Sequence, residues 1–245
     1  MARGFSTTYG TGSTDQITTG LTTNANLRSY ACFVYMNGLG GGSLGRVWDK
    51  RGAGVDTDRL NAQSSGVINY FRIWSGGSQG IAITVGTGAW AHVGISCDSS
   101  AAANLPLAYK DGVATGTGTG TTGTRTDTAN AYYIGNRGTD SARVWDGMIA
   151  EFAVWDAILT ADEFAMLGAD GFSPLLVRPQ SLVEYVPMVR DHVSHKLTIG
   201  TLTGAAVQPH PRSIILPSHR RSFVYSAAAP PATARRNRMT LLKVA

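Results

Sequence analysis

The chain has 245 residues, 43% of them hydrophobic and only 15% charged, a balance ordinary for a soluble fold with an unusually uncharged surface. No stretch approaches the ~20 apolar residues of a membrane span, and Met1-Ala-Arg-Gly-Phe-Ser-Thr-Thr lacks the apolar run of a secretion signal, so neither element is expected. The net charge of +5 is unevenly divided: residues 1–212 carry 15 Lys+Arg against 16 Asp+Glu (15 − 16 = −1), and residues 213–245 carry 6 against none (6 − 0 = +6). This division predicts a near-neutral body, 1–212, and a basic extended C-terminal arm, 213–245, which contains the Pro- and Ala-rich stretch 227–233.

Taken in chain order, the body reads as strands nearly throughout. Tyr30–Met36, Val67–Trp74, Gln79–Val85, Trp90–Cys97 and Leu105–Tyr109 are short, rich in β-branched and aromatic residues, and bounded by Gly, Ser or Asp-Gly. Within the fourth, Ala91, Val93, Ile95 and Cys97 alternate with Trp90, His92, Gly94 and Ser96, which predicts one continuously apolar face. Cys32 and Cys97 lie in such apolar runs, so two buried reduced thiols are expected rather than a disulfide. Asp111-Gly112 predicts a hairpin turn. The Thr115–Thr124 run of Gly and Thr reads as a mobile surface loop, and no Gly-Lys-Ser/Thr follows it to form a phosphate cradle. The one convincing helix follows Leu159: Thr160 and Glu163 form a capping box, Phe164 and Leu167 supply its apolar face, and Gly168 is expected as a left-handed C-terminal residue. Ser181–Met188 reads as a further strand that ends at Pro187. The fold class is therefore all-β: a two-sheet antiparallel jelly-roll sandwich with one short helix and an extended arm.

Four stretches carry a family resemblance. They are Gly12–Ile17 with Ser29–Tyr35; Trp90-Ala-His-Val with Leu107–Gly112; Tyr133-Ile-Gly-Asn136 with Trp145–Trp155 and the capped helix; and Gly171–Met188. In this order they resemble the laminin G-like or concanavalin A-like jelly roll over residues 5–212, and the last is similar to the closing segment of such domains in bacteriophage virion proteins. The resemblance implies a fold shared by lectins, glycosidases, adhesion modules and passive structural parts. It also implies calcium candidates at Asp15 and Asp146, although Asp146-Gly147 reads equally well as an Asp-Gly turn.

Catalytic chemistry finds little support. Retaining glycosidases need two carboxyl groups about 5 Å apart in a groove. Asp56 and Asp58 have a suitable spacing, but Gly52–Arg59 reads as a turn whose Asp side chains cap backbone N–H groups, while Asp146, Glu151 and Asp156 stand five apart. The five His residues are scattered along the chain and give no support to a nucleophilic triad. His192 and His195 are read as surface imidazoles rather than a zinc pair. The rows Tyr70 with Trp74 and Trp145 with Trp155 are read as core packing in preference to sugar-stacking platforms.

These readings lead to a non-enzymatic bacteriophage virion structural protein without a resident cofactor. The expected role is a capsid decoration, or cement, protein located in the virion and assembled in the host cytoplasm, with other virion proteins as partners, the major capsid protein first among them. Absence of an Asn-x-Ser/Thr sequon fits a bacterial or viral product. The arm would attach through Arg220, Arg221, Phe223, Tyr225, Arg235, Arg236, Arg238 and Lys243, the cations pairing with acidic surfaces and the apolar residues adding to a strand edge. A homo-oligomer is expected, with a trimer as the geometric fit to a local three-fold position. The alternative is a carbohydrate-binding adhesion module of a phage tail or fibre, with a glycan as partner; nucleic acid and membrane are not expected partners.

Overall fold

The computed structural model describes residues 2–6, 13–52, 55–138, 142–188 and 202–211. Its first strands are β1 (Ala2–Phe5), β2 (Gln16–Thr18), β3 (Leu27–Met36), β4 (Arg46–Gly52) and β5 (Val55–Ser64). The next are β6 (Val67–Trp74), β7 (Gly77–Thr84), β8 (Trp90–Asp98), β9 (Leu107–Lys110) and β10 (Val113–Thr117). After these come β11 (Tyr132–Ile134), β12 (Gly147–Trp155), helix α1 (Ala161–Gly168), β13 (Leu182–Val186), β14 (Leu202–Thr203) and β15 (Ala206–Gln208). One antiparallel sheet has eight strands, in the order β10-β9-β8-β3-β12-β1-β15 with β13 also on β12; the other has seven, β14-β2-β11-β4-β5-β6-β7. This is the two-sheet jelly-roll sandwich that the strand pattern predicts.

The period-two alternation decides what lies between the sheets. Tyr30, Cys32, Val34 and Met36 of β3 and Ala91, Val93, Ile95 and Cys97 of β8 enter one buried cluster with Trp48, Leu60, Ile68, Tyr70, Tyr132 and Ile134 from the opposite sheet. Both cysteines are buried and unbridged, because β3 and β8 pair Cys32 with Val93 and place Cys97 opposite Arg28. Tyr70, Trp74, Trp145 and Trp155 are all at most 5% exposed, so the two aromatic rows belong to packing.

The outer face of the eight-stranded sheet is apolar as well, and α1 covers part of it. Thr160 Oγ1 accepts from Glu163 N while Glu163 Oε2 accepts from Thr160 N, completing the capping box. Phe164 then stacks on Tyr109 at 4.1 Å, and Leu167 joins Trp155, Leu182 and Tyr185 in a second cluster. Gly168 does not serve as a left-handed terminus: it is the last helical residue, and Ala169 after it is right-handed. Its role is close approach, since a Cβ there would meet Gly112 N at 2.3 Å and His92 Nδ1 at 2.8 Å. The Asp111-Gly112 turn between β9 and β10 forms as expected, with φ of 51° and 84°.

Two connections close the open seams of the sandwich. The Gly/Thr run is no mobile loop: after β10, Gly118 N donates to Pro106 O, Thr119 N to Gly80 O, and Ser75 N to Thr124 O, so the segment runs from the start of β9 to β7 and the turn before it. Glycine is required because a Cβ at residue 118 would meet Gly80 O at 2.6 Å and Pro106 Cγ at 2.5 Å. At the other seam, the consecutive strands β14 and β15 cross from one layer to the other. Leu202 pairs with Ile17 of the seven-stranded sheet and Val207 with Arg3 of the eight-stranded one. Beyond it His210 Nε2 lies 3.1 Å from Glu151 Oε1, and Glu151 also accepts from the Tyr185 hydroxyl. Glu151 reaches this position because the β12 bulge between Ala150 and Ala153 gives it a φ of 55°.

Candidate ligand-binding face of the seven-stranded sheet

The polar side chains of β4 and β5 gather on the outer face of the seven-stranded sheet. Tyr132, Trp48, Leu60 and Tyr70 point inward, so their chain neighbours Tyr133, Asp49, Arg59 and Phe71 point outward. Register aligns these four across the sheet: Tyr133 pairs with Asp49, Asp49 with Arg59, and Arg59 with Phe71. Asn61 and Asn69 form the next row. The result is a platform with half-buried aromatic rings at both ends and hydrogen-bonding groups between them. The Arg59 guanidinium lies 4.7 Å from the Phe71 ring centroid.

Asp56 organises the cations at one end. It accepts from Arg46 Nη2 at 3.3 Å, from Arg51 Nη1 at 2.5 Å and from Arg59 Nη1. Burial raises its carboxyl, but Arg59, Arg46 and Arg51 outweigh that effect and hold it below the usual 3.8. Asp49 is the opposite case. It is 0% exposed, neither carboxylate oxygen has a hydrogen-bond partner, and burial, followed by the charge of Asp56, pushes it up to about 7 against the pull of Arg46, Arg59 and Arg51. Burial also lowers the Arg46 guanidinium to about 10. Asn69 Oδ1 is a second buried acceptor without a partner.

Two further arginines are held beside this cluster by Asn136. Its Oδ1 accepts from Arg137 N at 2.8 Å and Arg143 N at 3.0 Å, and its Nδ2 donates to Ser13 O. Arg143 Nη1 donates to Gly42 O at 2.6 Å, Arg46 N donates to Arg143 O, and the charge of Arg137 is felt at Arg46.

Several expectations are corrected. Asp56 and Asp58 do not cap a turn but lie in β5, where the bulge between Lys50 and Arg51 against Asp56 and Asp58 sends them to opposite faces. Asp58 is inside, 0% exposed, where its Oδ2 accepts from the Tyr30 hydroxyl, from the Tyr132 hydroxyl at 3.1 Å and from Arg72 Nη1 at 3.0 Å. Lys50 lies nearby, lowered to about 8 by burial, and donates to Thr22 O, Thr23 O and Asn24 Oδ1. Sequence reasoning missed the outward row because its members alternate with core residues only after two bulges are placed.

Asp146 Oδ1 accepts from Ser6 Oγ at 2.9 Å and Oδ2 from Asn37 Nδ2 at 3.0 Å, while Asp15 is 0% exposed. No group of three or more His, Cys, Asp or Glu residues is gathered among the described residues. His192, His195 and the attachment residues Arg220, Arg221, Phe223, Tyr225, Arg235, Arg236, Arg238 and Lys243 lie outside the described residues. No described helix is long and apolar enough to cross a membrane.

Comparison with known proteins agrees with this architecture. The crystal structure of a carbohydrate-binding candidate from Bacteroides ovatus ATCC 8483 is similar at a TM-score of 0.60 and 16% identity, over 87% of this chain and 61% of that one. The botulinum neurotoxin serotype D binding domain is similar at 0.52 and 10% identity, over 66% of this chain and 42% of that one. Mouse laminin alpha1 chain domains LG4-5 follow at 0.47 and 14%, over 66% and 43%. This chain thus spans less than two thirds of the length of these three structures. No curated protein matches it. Residues 9–165 match the family described as the concanavalin A-like lectin/glucanases superfamily, with the laminin G type as the matching member. The chain belongs to that superfamily.

Proposed function

We propose that the protein is a non-enzymatic glycan-binding module whose ligand lies on the outer face of the seven-stranded sheet. The observation that carries this reading is the row Tyr133–Asp49–Arg59–Phe71, with the unpartnered Asn69 acceptor in the row beside it. Sugars present alternating apolar faces and hydroxyl edges, which such a row can meet with ring surfaces at its ends and the part-exposed Arg59 guanidinium between them, Asp49 lying buried beneath. Hydrolysis is not offered by the same groups, because Asp49 is shut off from solvent and Asp56 is committed to three arginines. The description of the Bacteroides protein as a carbohydrate-binding candidate agrees with the reading at the level of fold. A glycan array probed with the full chain and with Phe71→Ala tests it: binding lost in the variant supports the reading, and binding unaffected by the substitution contradicts it.

A second reading is favoured by the six basic and no acidic residues of 213–245. In it the body is displayed on a virion as a trimeric decoration protein, and the arm attaches it to the major capsid protein. Truncation after Arg212 would then abolish incorporation into particles, and normal incorporation of the truncated protein would rule it out.

A further inference from the structure

We propose that the ligand of this face is an acidic saccharide, whose carboxylate or sulfate groups are taken by Arg51, Arg59, Arg137 and Arg143 above the buried charge of Arg46. The inference rests on the glycan-binding reading and specifies its ligand class. Arg46, Arg51 and Arg59 surround Asp56, with Arg137 and Arg143 beside Arg46, so five of the fifteen cations of residues 1–212 gather at one side of the seven-stranded sheet, and the carboxylates among them in the described residues are Asp49 and Asp56. Asp56 accepts one N–H from each of three guanidiniums, and every guanidinium has five N–H donors in a planar fork. That fork fits carboxylate and sulfate oxygens in pairs, whereas a neutral hydroxyl uses it poorly.

The positioning is built rather than incidental. Arg46 is 3% exposed and fastened to Leu44 O through Nη1, so its charge is held in a largely desolvated site. Asn136, 0% exposed, fixes the backbone of Arg137 and Arg143 through one oxygen. Arg59 is 22% exposed and rests on Phe71, placing a cation beside the aromatic surface where a sugar ring would stack. The site therefore joins charge to a flat apolar contact, the two features that an acidic sugar combines.

Asp49 lies beneath these cations and adds a dependence on pH. The charged and titratable groups facing it are Arg46 and Arg51 of β4, Asp56 and Arg59 of β5 and Tyr133 of β11, with Arg137 beyond Arg46. Because burial holds its carboxyl at about 7, Asp49 is neutral at pH 5.5 and ionised at pH 8. Its negative charge then opposes an anion at pH 8 and is absent at pH 5.5, while uronate and sulfate groups stay ionised at both. Acid-side strengthening follows.

The test is calorimetric titration of the full chain with three short probes: a galacturonate tetrasaccharide, a sulfated disaccharide and the neutral cellotetraose. The basic arm is common to all variants, so its contribution cancels in comparison. The acidic probes are expected to bind more tightly than cellotetraose, to weaken about tenfold in Arg59→Gln and in Arg143→Gln, and to bind more tightly at pH 5.5 than at pH 8 except in Asp49→Asn. The uronate and sulfate arms separate the two anion sources. Equal binding of cellotetraose with no loss in either arginine variant would overturn the inference and leave the glycan-binding reading intact. Binding by none of the probes would overturn both. Acidic binding unchanged in both arginine variants would place the anion on the arm and overturn the inference alone.

Discussion

Replacing Asp58 by Asn tests the buried charge network that ties the two sheets together behind the candidate face. The substitution keeps side-chain volume and removes one charge at a position that is 0% exposed. Arg72, 3% exposed, would lose its 3.0 Å partner and retain Asp127 at 3.3 Å, and the Tyr30 and Tyr132 hydroxyls would lose a charged acceptor. Breaking a buried pair from one side costs about 3–5 kcal/mol, mainly because the remaining charge stays desolvated. At roughly 2–4 °C per kcal/mol for a chain of this size, the melting temperature should fall by about 6–20 °C. Thermal unfolding followed by circular dichroism, with urea titration as a second route, measures the loss. The companion variant Asp58→Asn/Arg72→Met should recover part of it, since the stranded cation is gone. A loss below about 1 kcal/mol in the single variant would refute the assignment of these groups as a mutually dependent network.

Asp49 predicts a pH signature in stability. Its folded-state value of about 7 lies above the ordinary 3.8, so the native state binds the proton more tightly and stability should fall as pH rises from about 4 to 7, then level off. Asp49→Asn should remove this slope and stabilise the protein more at pH 8 than at pH 5, by an amount on the order of 4 kcal/mol at most; parallel melting curves at the two pH values check it, and equal effects would contradict the buried carboxyl. Truncation after Arg212 should leave the melting temperature of the body within about 2 °C, whereas truncation after residue 201 should lower it clearly, because only the second removes β14 and β15, which pair with one sheet each and close the seam. Gly168→Ala should destabilise by roughly 1–3 kcal/mol through the 2.3 Å approach to Gly112 N, despite the better helix propensity of alanine; chemical denaturation decides the sign.

Much of the fold was legible because burial imposes alternation. The face Ala91, Val93, Ile95 and Cys97, the capping box of Thr160 and Glu163 and the Asp111-Gly112 turn depend on neighbours in sequence, and each forms as the sequence predicts. What depended on distant contacts was misread. The Gly/Thr run looked mobile since nothing in it reveals that Gly80 and Pro106 press against it, and Gly168 looked like a terminus because His92 and Gly112 are far away in sequence. The candidate face was hidden for a related reason. Bulges in β4 and β5 break the two-residue period, so Asp56 and Asp58 share a spacing without sharing a face, and Asp49 meets Tyr133 and Arg59 only through pairing with two other strands. The charge division between body and arm was plain in the sequence, while the concentration of five arginines around Asp56 and Asn136 required the fold.

The most direct measurement of the central claim is amide chemical-shift mapping of the full chain with a bound oligosaccharide. The account predicts shifts confined to the outward row and its flanks, at Asp49, Arg59, Asn69, Phe71, Tyr133 and Arg143, with little change at the rim around Asp15 and Asp146 or along α1. Shifts centred on that rim, or spread over the outer face of the eight-stranded sheet, would contradict it.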